Sequence, residues 1–161
     1  IVCVGTDRST GDSLGPFIGT FLHRRQTQGL LAANIEIYGT LNDPVHALNL
    51  DKTIEKITPG NSSTIIAIDA CLGRMKNIGY ISIKKGPLQP GTGVNKKLPT
   101  LGHYHIIGVV NVAGFMEHIV LQNTRLSLII QMAEVISEAV ALGLGSFVPR
   151  SEVALGVAHP F

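Results

Sequence analysis

The sequence contains no tryptophan, few aromatic residues and only two cysteines among its 161 residues. Aromatic residues make up 5% of the chain while hydrophobic residues make up 45%, so the core must be built mainly from aliphatic side chains. A core of that kind favours buried strands flanked by helices. Cys3 and Cys71 form neither a CxxC pair nor a regular framework, which excludes a disulfide scaffold and fits a reducing compartment.

Long apolar runs and a strong net charge are also missing. No run approaches the roughly 18 apolar residues of a membrane span, and no basic segment precedes a cleavable apolar one. The net charge of +2 is too small to argue for nucleic acid. We expect a soluble, cytoplasmic protein with one domain over residues 1–161. Because residues 1–5 already look like a strand, we expect the native amino terminus to lie upstream.

The short apolar runs that are present alternate with helical patterns or with connectors rich in glycine and proline. The runs cover residues 1–5, 35–38, 64–69, 79–85 and 106–112. This alternation predicts the α/β class, with a three-layer α/β/α sandwich around a mainly parallel sheet.

Three helices are predicted, two between these strands and one after the last strand. Asp12 and Ser13 are suited to cap the first, which has Pro16 in its first turn. Asp43 begins the second, before a proline, and that helix ends before residue 59. Residues 115–144 have the strongest helical periodicity, with room for a break near Asn123.

The best functional clue is a pair of aspartates, Asp12 and Asp69, which follow two predicted strands. In open α/β sheets, ligands bind where the loops after neighbouring strands converge. Burial raises the pKa of a carboxyl group, and a second carboxylate nearby raises it further. Two such groups can share a proton, so that one activates water while the other donates to an amide. The alternatives are a helix cap for Asp12 and a turn or cap residue for Asp69.

The glycines around Asp12 also resemble a phosphate-binding loop, but the details exclude one. Asp12 and Ser13 stand after Gly11, where a Walker loop requires lysine and serine or threonine, and no G-x-G-x-x-G is present. Asp7 and Asp12 would also repel phosphate.

A basic segment without acidic residues follows Asp69. Its cations are Arg74, Lys76, Lys84, Lys85, Lys96 and Lys97. They form either a solvated basic face or a patch that attracts an acidic substrate to the site. The connector at residues 86–101 is rich in proline and glycine and is long for a compact domain, so it is a candidate binding loop.

Three sequence blocks resemble the germination protease of spore-forming bacteria, an aspartic endopeptidase that shares its fold with the hydrogenase-maturation endopeptidases. They are Gly11-Asp12-Ser13-Leu14-Gly15-Pro16, Ile68-Asp69-Ala70-Cys71-Leu72-Gly73-Arg74 and Gln89-Pro90-Gly91-Thr92-Gly93-Val94-Asn95-Lys96-Lys97. Nearly the whole chain resembles the small sporulation proteins of the YyaC type, which are described as spore proteases. The segments at 5–12, 114–117 and 121–125 carry this second resemblance.

The resemblance implies an endopeptidase of a sporulating cell or spore, with Asp12 and Asp69 as its catalytic residues. The candidate substrate-binding residues in or beside the same blocks are Thr6, Asp7, Arg74, Gly91, Thr92, Gly93 and Asn95. The expected partner is a protein or peptide, acidic in character, and not nucleic acid or a membrane. The oligomeric state is left open.

The maturation endopeptidases bind a metal through two acids and a histidine, and Asp12 and Asp69 match the two acids. His103 and His105 are weak candidates for the third ligand, since no motif marks either one and solvated loop histidines are common. We therefore expect no metal and no cofactor. Cys71 with one of these histidines is a remote alternative nucleophile, because a buried cysteine in an apolar run is normally inert.

Two rival functions use the same residues. One is a metal-assisted endopeptidase, and the other is a binding module that keeps the acidic pair without turnover. Fold alone does not separate them.

Overall fold

The computed structural model describes residues 1–57, 63–91 and 98–145. The elements in these ranges are β1 (Val2–Cys3), α1 (Leu14–Thr27), α2 (Leu50–Ile57), β2 (Ile66–Gly73), β3 (Ile81–Lys85), β4 (Tyr104–Val112), α3 (Glu117–Gln122) and α4 (Leu126–Gly145). Two short 3-10 turns, Gly11–Ser13 and Met75–Asn77, lie before α1 and after β2.

The strands form one sheet in the order β1-β2-β4-β3. β1, β2 and β4 are parallel, and β3 is antiparallel to β4. Residues 35–38 were predicted to form a strand but contribute only a single bridge, from Tyr38 to Val2. The predicted α/β class and the mainly parallel sheet are confirmed.

Alternating residues of the strands point to two different hydrophobic clusters, as the period of a strand requires. Cys3, Ile68 and Ile106 pack in the cluster that includes α1 and α4. Val2, Val4, Ala67 and Ile107 pack on the other face, with residues of α2 and of the 88–101 connector. Helices therefore lie on both faces of the sheet.

Helix α1 lies against β1 so closely that only glycine fits at the contacts. A Cβ atom at Gly15 would lie 2.0 Å from the carbonyl oxygen of Val4, and one at Gly19 would lie 2.1 Å from that of Gly39. Backbone atoms cannot move aside as a flexible side chain can. These glycines therefore set the distance between α1 and the strand whose end carries the Asp12 loop.

The predicted second helix begins later than expected. Val45 was expected in the first helical turn but forms a parallel bridge with Val4. Asn49 then holds the intervening residues, since its Oδ1 accepts a hydrogen bond from the His46 N–H and its Nδ2 donates to the Pro44 carbonyl. Helix α2 consequently starts at Leu50 and not at Asp43.

The sequence left open a break in the long helical stretch, and the structure has one between α3 and α4. Thr124 lies in the break, and its hydroxyl donates to the Val120 carbonyl at 3.0 Å. The same hydroxyl accepts a hydrogen bond from Nδ2 of Asn111 in β4 at 3.1 Å. These bonds satisfy polar groups at the end of α3 and tie the break to the sheet.

Among the residues that the structure describes, one helix, α4, has the length and composition of a membrane span, with a hydropathy of 1.6. In its most apolar window, 39% of the residues are buried within the protein. Ile129, Ala133 and Ile136 pack in the core beside α1. Packing in the core accounts for that face of the helix, so its composition is weak evidence for a membrane.

Two helical glycines give opposite predictions for replacement by alanine. Gly15→Ala should lower the free energy of unfolding by about 1–3 kcal/mol, because its Cβ would meet the Val4 carbonyl. Gly143→Ala is the matched control: nothing lies within 4 Å of a Cβ there, so the better helix propensity should add about 0.5–1 kcal/mol. Urea denaturation measures both. A stabilised Gly15→Ala variant would contradict the close packing of α1 on β1.

Candidate active site

Three chain segments reach the same level beyond the end of β1. The Val4 N–H donates to the Ile68 carbonyl at 2.7 Å, and the Gly5 N–H donates to the Val45 carbonyl at 2.8 Å. Because Cys3 pairs with Ile68, the next residue of β2, Asp69, lies beside Val4. His46 follows directly after Val45 on the other side. The site is therefore assembled by strand register.

The loop from Gly5 to Asp12 folds back onto the end of β1. The Thr6 N–H donates to the Asp12 carbonyl at 3.1 Å. Gly5 has a φ of +147°, and a Cβ there would lie 2.0 Å from the same carbonyl oxygen, so the loop requires glycine at this position. Asp12 lies in the 3-10 turn that precedes α1, and the N-cap position belongs to Ser13, without a side-chain capping bond. Asp12 is thus not the helix cap.

Asp69 lies within β2 and not on a loop after it, which corrects the prediction from the sequence. The strand continues to Gly73 because it stays paired with β4, with an irregularity between Cys71 and Leu72. On its other side the pairing with β1 has already ended. Asp69 can therefore face a cleft from inside a strand, and its Oδ1 accepts a hydrogen bond of 2.8 Å from the Ala70 N–H.

Both aspartates line one cleft of about 460 Å³. Its walls come from the end of β1, from the segment before α2, from β2, from the 88–101 connector and from α3. The lining residues are Val4, Gly5, Thr6, Asp12, His46, Ala47, Asp69, Ala70, Cys71, Leu72, Pro90, Gly91, Leu98, Glu117 and Leu121. Two acids far apart in the sequence thus share one largely apolar cavity.

The electrostatics of the two acids differ. Burial raises the pKa of Asp69 from 3.8 to about 8, and the charge of Asp12 adds to this effect, whereas the Ala70 N–H opposes it. Burial also raises the pKa of Asp12, and the nearby Ser9 hydroxyl lowers it. That hydroxyl is buried and finds no partner with full hydrogen-bond geometry among the described residues. Near neutral pH, Asp69 holds the proton.

The predicted substrate-binding residues fall into three groups. Thr6 and Gly91 line the cleft. Asp7 and Arg74 are exposed and are not among its lining residues, so their role in substrate binding stays a prediction. The remaining candidates, Thr92, Gly93 and Asn95, lie outside the described residues.

The histidines proposed as weak metal ligands lie elsewhere. His103 Nδ1 accepts a hydrogen bond from the Ile65 N–H at 3.0 Å, and His105 Nδ1 lies 2.9 Å from the Gly86 carbonyl. Both are at the amino end of β4, away from the cleft. Within residues 1–57, 63–91 and 98–145, no group of three histidine, cysteine or acidic side chains is placed to hold a metal ion. The described residues therefore do not fit the ligand set of the maturation endopeptidases.

The structure brings two further side chains, His46 and Glu117, to the cleft that sequence reasoning did not assign to it, and it also places Cys71 there. His46 follows Val45, whose bridge to Val4 brings it to the cleft. Burial and the charge of Asp69 raise the pKa of the Cys71 thiol, which disfavours the reactive thiolate.

The cations of the basic segment are divided between opposite ends of the parallel strands. Arg74 and Lys76 follow β2 and lie at the same edge as the cleft, whereas Lys84 and Lys85 end β3, next to the amino end of β4. Lys96 and Lys97 lie outside the described residues. Only the first pair is placed near the site.

Asp69 should make the protein less stable as the pH rises. The folded state keeps the proton up to about pH 8, while the unfolded state releases it near 3.8. Stability is therefore lost progressively between these values and the loss is complete above the higher one. Since each pKa unit is worth about 1.4 kcal/mol, even half of this shift costs about 2–3 kcal/mol.

Urea unfolding of the wild type and of Asp69→Asn at pH 5 and pH 8 tests this linkage. The wild type should lose stability between these pH values, and the variant should lose markedly less. Asp7→Asn, which removes an exposed acid, is the control and should behave as the wild type. An unchanged pH dependence in Asp69→Asn would contradict a raised pKa at this position.

Comparisons with known proteins identify relatives but no activity. Residues 1–139 match a family model described as "Protein of unknown function (DUF1256)". The chain is 52% identical over 143 residues to "Uncharacterized protein YyaC" of Bacillus subtilis (strain 168), in an alignment that covers 88% of the chain and 67% of the relative. No solved structure matches the chain.

The resemblance to YyaC is confirmed, whereas the relation to the proteases stays a prediction. The family model covers most of the sequence, and the bacillus relative shares more than half of the aligned residues. The chain therefore belongs to the DUF1256 family.

Proposed function

We propose that this protein is a peptide-bond hydrolase in which Asp12 and Asp69 share one proton and activate a water molecule. One observation carries the proposal: two partly buried carboxyl groups, one from the turn before α1 and one from β2, line one cleft, and the charge of Asp12 raises the pKa of Asp69. Carboxyl pairs with this coupling support acid and base roles at the same pH.

The division of roles follows from the pKa values. Asp69, with its pKa near 8, is the acid at neutral pH, and ionised Asp12 is the base. Asp12 takes a proton from water as the water oxygen bonds to the amide carbon, and Asp69 donates its proton to the amide oxygen. The resulting diol collapses as Asp12 returns its proton to the leaving nitrogen and Asp69 recovers one from a hydroxyl. One water is consumed, and both carboxyl groups regain their starting state.

The cleft is suited to an extended peptide. It is lined mainly by apolar side chains and bordered by backbone of Gly5 and Gly91. The Gly5 N–H is already bonded to the Val45 carbonyl, so we propose that the backbone of Gly91 pairs with a peptide main chain, as strands do. A peptide can direct a neutral amide to the acids, whereas nucleic acid brings a phosphate at every nucleotide. We propose an acidic polypeptide as substrate, attracted by Arg74 and Lys76 at the same edge.

The sequence resemblance supports a cellular setting for this activity. The blocks around Asp12, Asp69 and Gly91 resemble the germination protease, whose catalytic aspartates match the first two. We propose the same fold type and a place in the cytoplasm of a sporulating cell or spore. A metal-assisted reaction is the weaker candidate, because the described histidines near the acids do not complete a ligand set.

Replacing either acid tests the proposal. Asp12→Asn and Asp69→Asn should each lower kcat for an internally quenched peptide by at least about 100-fold, the usual effect of general acid or base catalysis. Both variants should stay folded by circular dichroism. Wild-type kcat should fall as the pH rises through about 8, where Asp69 loses its proton. Asp7→Asn, at an exposed position outside the cleft, should keep the wild-type rate.

The same assay separates the substrate class from the chemistry. An acidic peptide should have a lower KM than a neutral peptide of equal length, and the double variant Arg74→Gln with Lys76→Gln should remove that difference without changing kcat. Equal KM values in the wild type would exclude an acidic substrate. Full turnover in Asp12→Asn or Asp69→Asn would exclude the shared-proton mechanism.

A further inference from the structure

The outer edge of β3 is unpaired within the described residues and carries exposed apolar side chains. β3 is the last strand in the order β1-β2-β4-β3, and no strand within the described ranges pairs with its outer side. Ile81 and Ile83 on this strand are 37% and 70% exposed. A strand edge that combines free backbone groups with exposed apolar side chains is a template for pairing with another chain.

The backbone of Ile83 is the part of β3 that faces outward. At the end of the β3–β4 pairing, the Gly86 N–H donates to the His103 carbonyl at 2.8 Å. Ladder bonds of an antiparallel pair recur at every second residue. Ser82 and Lys84 therefore bond to β4, while the N–H and carbonyl groups of Ile81 and Ile83 point away from it.

The exposed isoleucines lie on the face of the sheet that α4 covers only in part. Ile81 and Ile83 pair with Gly108 and Ile106, whose neighbours on that face are α1 and α4. A Cβ at Gly108 would lie 2.8 Å from Met132 Cε, so α4 passes over β4 and leaves β3 uncovered.

The flank of α4 on the side of β3 is apolar as well. Leu128 is the nearest side chain to Gly79, just before β3. Val135 lies two helical turns further along the same flank and is 57% exposed. Seven helical residues rise about 10 Å, the length of about three strand residues. For a helix that runs along β3, this places Val135 near Ser82.

We propose that a second copy of this chain pairs with β3 about a two-fold axis at the midpoint of the strand, which joins the two sheets into one. The central contacts are Ile83 and Val135 with their counterparts in the other copy. This inference is independent of the catalytic proposal.

The sequence of β3 is compatible with pairing to itself. Side chains directly opposite each other in an antiparallel pair share a face, so the axis must pass through a residue, either Ser82 or Ile83. In the first case Ile81 faces Ile83 of the other copy, and Lys84 faces Tyr80. In the second, Ile83 faces itself, Lys84 faces Ser82 and Lys85 faces Ile81. Neither register places lysine against lysine.

The spacing of the elements also fits two copies. Strands lie about 4.8 Å apart, so the two copies of β4, with two β3 strands between them, are separated by about 14 Å. The axes of the α4 helices above them would then lie about 4–6 Å further apart than the usual helix packing distance of about 8–10 Å. The isoleucine and valine side chains fill this gap. An apolar patch centred on the strand midpoint is what an isologous interface requires.

Sedimentation analysis of the full chain and its variants tests the interface. The wild type should sediment as a dimer. Ile83→Pro removes an outward N–H but no bond to β4, as edge strands tolerate, and should raise the dimer dissociation constant by at least about tenfold, a change of 1.4 kcal/mol. Val135→Lys should do the same without touching the strand. Ile83→Val keeps both the backbone and the apolar side chain and should remain dimeric.

Cross-linking measures the register directly. In a Cys71→Ser background, oxidation of Ile83→Cys or of Ser82→Cys should yield a covalent dimer, because residues at the axis have Cα atoms within the 4.4–6.8 Å range of disulfides. A monomeric wild type would overturn the proposal, as would dimers that persist in both Ile83→Pro and Val135→Lys. A monomer that binds vesicles of anionic lipid through Val135 would also overturn it and assign the patch to a membrane surface.

Discussion

The return of the loop onto the end of β1 is the contact on which the site depends. The Asp12 carbonyl accepts a hydrogen bond from the Thr6 N–H. Residue 5 must be glycine, because a Cβ atom there would overlap the same carbonyl oxygen. This contact holds Asp12 over the end of β1. Strand pairing holds Asp69 beside Val4, at the same end of β1. The glycines of α1 act in the same direction, because they let the helix that follows Asp12 lie directly on β1. The position of one acid is thus fixed by backbone packing alone.

Burying two acids at one place has a cost in stability that the rest of the fold must offset. Asp69 is desolvated, and its neighbour's charge makes ionisation still less favourable. The folded state responds by keeping one proton. Stability and chemistry are thereby linked, since the proton that lowers the electrostatic cost of burial is also the proton that a carboxyl acid donates to a substrate.

Composition and periodicity were sufficient for the fold class because they reflect the strongest forces in folding. Aliphatic runs predicted a mainly parallel sheet with flanking helices, whereas the break near Asn123 was only left open, because a continuous helix over 115–144 is long for so small a domain. Details that depend on tertiary contacts were missed. Asp43 looks like a helix start, but Val45 pairs with Val4 instead, and this pairing is also what brings His46 to the cleft.

The candidate site shows the same division. Asp12 and Asp69 were found from their positions after apolar runs, since local burial and strand ends leave a signature in sequence. The sequence did not reveal that β2 continues beyond Asp69. That continuation depends on pairing with β4, which extends to Gly73, whereas the pairing of β2 with β1 ends before Asp69. Cys71 lies two residues after Asp69 in β2, and the period of a strand places both on one side. Glu117 joins the cleft through packing of α3, for which a single sequence carries no signal.

The most direct test of the account is a carboxyl carbon-13 NMR titration of Asp69 in the wild type and in Asp12→Asn. The account predicts that Asp69 titrates near pH 8 in the wild type. Its pKa should fall in Asp12→Asn, since the variant removes the charge that disfavours ionisation, while burial keeps it above 3.8. An Asp69 that titrates near 3.8 in the wild type, or that does not respond to the loss of Asp12, would contradict a shared proton between the two acids.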